Sequence, residues 1–258
     1  MADALRKRIW AGKLSWTALV LSAGGVLAAL IAAFGSREGV WHFSDGFLIL
    51  RWAFYAAVAG GLLAIVAWAM TRRAPGSLAM VSLAALIIAI LFGGYVASLV
   101  MTARSVPPIH DVTTNMDSVP RFFRLTLRED NFEVVPPEGD PRLIRMTPVD
   151  RWRTLHQDAY GDLVTLQVPW SVDETVRRAE ALARDRGWEI ASADPRGIVE
   201  ATDTSTFFGF KDDVVVRVTP NPAGGSNVDM RSVSRVGISD LGVNAERIRD
   251  FLGDLRQS

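Results

Sequence analysis

Three stretches without a charged side chain constrain this chain more than any other feature: residues 14–36, 52–71 and 74–103, which run for 23, 20 and 30 residues. A helix needs roughly 20 apolar residues to cross a hydrocarbon core of about 30 Å. Each stretch meets that length, and spans are expected at about 15–34, 48–70 and 78–101. The mean hydropathy of +0.19 at 22% charged residues agrees, since a soluble domain with that charge content falls below zero. These properties exclude a fully soluble enzyme and a disordered chain. The absence of cysteine excludes disulfides, iron–sulfur clusters and thiolate zinc sites.

The formal charge sums to zero, but its distribution is uneven. Residues 1–103 hold eight Lys/Arg and three acids, a net of +5, and residues 104–258 hold 20 and 25, a net of −5. That asymmetry opposes a nucleic-acid binder. Arg6, Lys7, Arg8 and Lys13 precede the first span, and Arg72 and Arg73 separate the second from the third. Arg37, between spans one and two, is offset by Glu38 and Asp45. The basic-residue rule then puts the N-terminus in the cytoplasm of a bacterial cell and everything after Met101 on the periplasmic side of the inner membrane. Ala32-Ala33-Phe34-Gly35 resembles a signal-peptidase site, but the apolar stretch is long for a signal peptide.

Within the spans, Arg51 reads either as a side chain snorkelling to the headgroups or as a buried functional charge. Trp10, Trp16, Trp41 and Trp52 fall near the expected interfaces. Ala56, Gly60 and Ala64, and also Ala53, Ala57 and Gly61, recur every four residues. Small residues at that spacing let helices approach closely, within the chain or between copies. No Asp, Glu, His or Lys lies deep in a span, which opposes an ion-coupled transporter.

Residues 104–160 carry seven prolines and are expected to form an extended strap. Phe122, Phe123, Leu125 and Leu127 make an apolar island there, 132–135 suggests a short strand, and His110-Asp111 suggests a local hydrogen bond. Residues 161–258 read as an exported α+β domain. A strand is expected at 162–169 with Val164, Leu166 and Val168 inward, followed by a Ser171-x-x-Glu174 capping box and an amphipathic helix ending at Gly187. A hairpin follows at 188–202, then strands at 211–219 and 227–235 joined by Asn221–Gly225. A last helix is expected with Asn244 as N-cap, a Val243/Ile248 staple and the stripe Ile248, Phe251, Leu252, Leu255. The order strand, helix, four strands, helix predicts an antiparallel sheet with both helices on one apolar face.

Several blocks carry a resemblance: His156-Gln157-Asp158-Ala159-Tyr160-Gly161-Asp162, Gly187-Trp188-Glu189-Ile190 and Phe207-Phe208-Gly209-Phe210-Lys211-Asp212-Asp213. Further blocks are Asp229-Met230-Arg231-Ser232-Val233-Ser234-Arg235-Val236-Gly237 and Ser239-Asp240-Leu241-Gly242-Val243-Asn244, with Ile109-His110-Asp111-Val112-Thr113-Thr114 upstream. Residues 105–255 thereby resemble the bacterial and plastid family called domain of unknown function 1499, some members of which carry an N-terminal membrane region. The resemblance implies the domain and its limits and supplies no mechanism.

Strand alternation puts Lys211, Asp213 and Arg217 beside Asp229, Arg231 and Arg235 on one face. Two readings stand: a solvated face of cross-strand pairs, or a recognition surface whose planar guanidinium groups suit carboxylates and phosphates. Asp212 points to the apolar side, to cap the loop at Gly209 or to pair with an arginine. The segment from Arg235 through Asp240 to Asn244 offers free amides ahead of a helix, an anion site or a tight turn. Phe207, Phe208 and Phe210 are core plugs or the wall of a ligand site. No HExxH, GxSxG, GxGxxG or P-loop occurs. Ser232 or Ser234 with Asp240 and a histidine makes a triad only on paper, and His42, His110 and His156 are too scattered for a metal site. No cofactor is expected. The functional expectation is a non-catalytic module that binds or assembles a membrane-protein complex. The alternative is a domain that binds a lipid or amphipathic small molecule between sheet and helices.

Overall fold

Three long helices come first, because the uncharged stretches leave no turn signal inside them. In the computed structural model, which describes residues 2–72, 76–133, 135–137 and 140–257, they are α1 (Ala2–Arg37), α2 (Phe43–Thr71) and α3 (Ser77–Ser105). All three are long and apolar enough to cross a membrane. Arg73 and Val134, used in the orientation count and the expected strand at 132–135, lie outside the described residues. The chain divides into two units, residues 1–101 with 206–209, and residues 102–205 with 210–258.

In the first unit the small-residue stripe of α2 is the packing surface. Ala53, Ala57, Gly60, Gly61 and Ala64 are buried, whereas Trp52, Tyr55 and Leu62 face outward. The approach is close enough that a Cβ at Gly60 would lie 2.5 Å from Ser22 Oγ and 2.8 Å from Ala18 O of α1. The repeat is therefore used inside the chain, where backbone proximity supplies the dispersion contact that lipid cannot. The Ser15 and Ser82 hydroxyls meet at 2.9 Å, each also bonded to the carbonyl four residues earlier in its own helix. Phe207 and Phe208 belong to this unit, with ring centroids 6.1 Å from Phe34 and 4.9 Å from Phe47 respectively.

The second unit is an antiparallel sheet with helices. Its elements are β1 (Asp111–Thr113), α4 (Pro148–Tyr160), β2 (Leu166–Val168), α5 (Val172–Asp185), β3 (Glu189–Asp194), β4 (Ile198–Thr204), β5 (Lys211–Pro220), β6 (Ser226–Ser234) and α6 (Val243–Gln257). The sheet order is β1-β6-β5-β4-β3, and β2 pairs with the other end of β6. The expected α+β class and its antiparallel sheet are present. One face packs on α5 and α6 through Val176, Ala179, Ala183, Ile248, Phe251 and Leu255, with the Trp188 and Phe251 rings stacked at 5.2 Å. Ser171 caps α5, its hydroxyl accepting from the Glu174 amide at 3.3 Å, and Gly187 takes the left-handed C′ position at φ 78°. Glu174 completes no reciprocal box. Its carboxylate pairs instead with Arg177 and Arg178 along the helix.

Four local expectations are corrected. The segment expected as an extended strap contributes an edge strand (β1) and a 13-residue helix (α4). Proline permits this helix because Pro148 occupies its first turn, where an amide has no intrahelical partner, and Thr147 is the N-cap. At 132–135, Phe132 and Glu133 form a turn and not a strand. Strand β2 begins only at Leu166, because residues 161–165 are still leaving α4; Leu163 is therefore buried and Val164 exposed, the reverse of the alternation. Asn244 does not cap α6. Asp240 does, accepting from the amides of Gly242 (2.9 Å) and Asn244 (2.8 Å), and Val243 is exposed.

Candidate functional site

Alternation along β5 and β6 puts Asp213, Arg217, Asp229 and Arg231 on the sheet face opposite α5 and α6. That face is not solvated. Asp213, Asp229 and Arg231 are all buried, beneath residues 114–132. The charges are consumed in ion pairs. Arg231 reaches Asp111 of β1 through Nε (2.9 Å) and a terminal nitrogen (2.5 Å), and also donates to Pro120 O. Arg217 pairs with Asp229 at 2.7 Å and donates to Ser118 O at 2.6 Å. Arg235 makes a two-pronged contact with Asp213, both at 2.8 Å, and this raises the guanidinium pKa. Thr202 donates to Asp213 as well. Burial of such pairs is costly unless the remaining donors and acceptors are bonded, and here hydroxyls donate to Asp213 and Asp229 while carbonyls accept from Arg217 and Arg231, which leaves Arg217 Nε without a partner.

The covering segment is pinned by a residue that sequence reasoning passed over. Glu200, in the middle of β4, is fully buried. Its carboxylate accepts from three successive backbone amides: Phe123 (2.6 Å), Arg124 (3.2 and 3.0 Å) and Leu125 (2.8 Å). Three amides converging on one anion form a nest. The signal was visible as a lone acid inside the strand Ile198-Val199-Glu200-Ala201, but nothing local indicated its partner.

Helix α4 closes the β1 edge. The outward carbonyl of Asp111 accepts from Trp152 Nε1 (2.7 Å), and the outward amide of Thr113 donates to His156 Nε2 (3.0 Å). Side chains thus satisfy an edge that would otherwise be free to pair with another chain. His156 accepts at Nε2, so it is neutral, and burial holds its pKa below the ordinary 6.5. Its Nδ1 and the buried Tyr160 hydroxyl have no hydrogen-bond partner among the described residues. Burial, with Asp240 nearby, pushes the Tyr160 pKa up to about 12. Asp162 makes a two-pronged pair with Arg249 at 2.8 and 2.9 Å, which lowers the carboxyl and raises the guanidinium.

A second polar network occupies the α6 side. Arg247 lies four residues before Phe251, hence on the buried stripe, and binds Asp203 (2.8 Å), Asp212 (2.7 Å) and Ser232 (3.0 Å). Asp212 therefore pairs with an arginine and does not cap Gly209. Asn244 is fully buried; it accepts from Ser232 and Arg247 and donates to His110 O and Ser234. Ser232 and Ser234 are thus bonded to an amide side chain and not to a basic histidine, and the paper triad is not assembled. The amides ahead of α6 are taken by Asp240, whose carboxyl is raised by burial despite them, so this is a tight turn and not an open anion site. His110 and Asp111 do not bond directly. Asn131 bridges them, at 3.1 Å from His110 Nε2 and donating to Asp111 at 2.6 Å. Among the described residues no group of His, Asp and Glu is arranged to hold a metal.

The residues singled out from sequence are accordingly dispersed. Asp213, Arg217 and Arg231 share the covered face, while Arg235, just past the end of β6, and Lys211, at the start of β5, are exposed. Asp240 and Asn244 serve the opposite side. Phe208 belongs to the first unit, and Phe210 is half-buried at the entry to β5.

Beside the covered ion pairs lies a cleft of about 730 Å³. Its walls combine Phe123, Leu127, Phe132 and Trp152 with Arg121 and Arg153, and Arg217 and Arg231 also reach it. A smaller cleft of about 400 Å³ is lined by His156, Tyr160 and Thr165. The space between the sheet and α5/α6, where the alternative reading put a ligand, holds core side chains such as Val176, Ile248 and Phe251.

No curated protein and no solved structure matches the chain. The family described as "Protein of unknown function (DUF1499)" matches residues 111–255. That span, from β1 to the last turns of α6, contains every ion pair of the covered face, and the chain belongs to this family.

Proposed function

We propose that the protein is a non-catalytic binding module of the bacterial inner membrane. Its three helices span the bilayer with the N-terminus in the cytoplasm, and the domain built on β1–β6 works in the periplasm. Arg6, Lys7, Arg8 and Lys13 at the N-terminal end of α1, and Arg72 after α2, against the mixed charges around the loop between α1 and α2, support that orientation. The binding role rests on one observation. Arg217, Asp229 and Arg231 of β5 and β6, with Glu200 of β4, hold the segment from Thr114 to Leu125 over the sheet, and the segment so held forms a wall of the 730 Å³ cleft. Clefts of this size, with apolar walls and a small number of placed polar groups, are the usual form of a ligand site; here Arg217 and Arg231 are already paired, which leaves Arg121, Arg153 and Asp117 as the charges on the wall.

The test has two arms. Protease added to intact spheroplasts should remove the portion after Met101; survival there with digestion only after lysis would overturn the orientation. Native mass spectrometry of the full chain, released from mild detergent, should show a bound small molecule or a defined protein partner. Consistent recovery of the bare chain would count against a binding role. A second reading is assembly of a membrane-protein complex, favoured by exposed Val236, Ile238 and Val243 around the loop from β6 to α6.

A further inference from the structure

Arginines that face a cleft are usually neutralised by neighbouring acids, as Arg217 and Arg231 are by Asp229 and Asp111. Arg121 and Arg153 differ. Both line the 730 Å³ cleft, both are exposed, and neither guanidinium has a hydrogen bond or ion pair among the described residues. A third unused donor is Nε of Arg217, buried and without a partner. With Arg217 and Arg231 neutralised, the lining keeps Arg121 and Arg153 against Asp117, a net of +1 in a domain that is acidic overall.

The remaining wall is apolar. Phe132 and Trp152 meet at 4.9 Å between ring centroids and form the inner part, while Leu127, Val119 and Ile198 extend it. Phe123 is 73% exposed, the most exposed large hydrophobic residue among the described residues. Its own amide is fixed to Glu200 at 2.6 Å, which sets its backbone at the rim, and its side chain lines the cleft. An exposed phenyl group at the edge of an apolar cleft gains contact area when the cleft is filled.

From these features we infer that the cleft binds a small amphipathic anion: one apolar chain against Phe132, Trp152 and Phe123, and a carboxylate head on the guanidinium groups of Arg121 and Arg153. A guanidinium offers paired donors to a carboxylate, and the bond is charge-assisted. A cation of the same shape is disfavoured by the same two groups. The inference rests on the binding role proposed above and adds the class of ligand.

The experiment uses the full chain in nanodiscs of zwitterionic lipid, with empty nanodiscs as the control for partitioning. Decanoate, decyltrimethylammonium and inorganic phosphate are titrated separately. Binding is read by calorimetry and by hydrogen-exchange protection of residues 116–132 and 149–153. Decanoate is expected to protect both segments, with decyltrimethylammonium and phosphate at least about tenfold weaker. The double variant Arg121→Gln, Arg153→Gln breaks no internal bond, so its fold is retained; it should weaken decanoate about tenfold or more while leaving exchange in α5 and α6 unchanged. Equal binding of decanoate and decyltrimethylammonium, or an unaffected double variant, overturns the inference. So does absence of decanoate protection. If native mass spectrometry still shows a bound species of another class, that result removes the anionic amphipath but leaves the binding role standing.

Discussion

Glu200 holds the covering segment onto the sheet, and its removal gives a sharp test of that claim. Its carboxylate is fully buried and accepts from three consecutive amides at 2.6–3.2 Å. Hydrogen bonds to a charged acceptor contribute about 1.5–3 kcal/mol each. Simple addition over three amides overstates the loss, because a freed segment can rehydrate. Breaking one side of a buried charged interaction costs about 3–5 kcal/mol in comparable cases. Glu200→Ala should therefore raise the population of the segment-open state by two to three and a half orders of magnitude, at about 1.4 kcal/mol per tenfold. Glu200→Gln should fall between, since one oxygen still accepts while its NH2 confronts backbone donors. The assay is native-state hydrogen exchange on the full chain. The amides of residues 118–127 should exchange faster by that factor, with β5 and α6 affected much less because their partners persist. Exchange of 118–127 unchanged within about threefold would refute the reasoning.

Two further outcomes follow from the same geometry. Asp111→Asn leaves Arg231 buried with one charge uncompensated, and should cost about 3–5 kcal/mol in a denaturation midpoint series; a change under about 1 kcal/mol would show that the pair is not needed. His156 has its folded pKa held below the unfolded 6.5 by burial. The unfolded chain therefore takes the proton first, so the His156 contribution is complete above pH 6.5 and is lost as pH falls through the folded value. Thermal stability measured between pH 8 and pH 5 should fall more steeply for the wild type than for His156→Gln, whose side-chain oxygen can still accept from Thr113; equal slopes would remove this account.

Much of the architecture was legible in the sequence because it depends on short-range periodicity. Three uncharged stretches became α1, α2 and α3, and the four-residue repeat from Ala53 to Ala64 became the α2 packing face. Ser171, Gly187 and the turns at Asp194–Gly197 and Asn221–Gly225 appeared where local capping and turn chemistry put them. Legibility failed where a local signal had two uses. Prolines at 104–160 suggested an extended segment, yet Pro148 begins α4. Asn244 suits an N-cap, but Asp240 reaches the same amides and releases Asn244 to join Ser232 and Arg247 in the interior. The motif residues Asp229, Arg231 and Arg235 were recognised as a charged face, and period-two alternation alone could not say what lies over it.

That division follows from the range of the forces. Hydrophobic run length, helix caps and strand alternation act within a few residues, so this chain's own order determined the membrane-length helices, the antiparallel strands of the domain and the membership of each sheet face. Whether a charge on that face meets water or another charge depends on contacts across 12 to 120 residues, as in Arg217 with Asp229 and Arg231 with Asp111. Only the tertiary structure decided those pairings, buried Glu200 beneath three amides, and left Arg121 and Arg153 unpaired at the cleft.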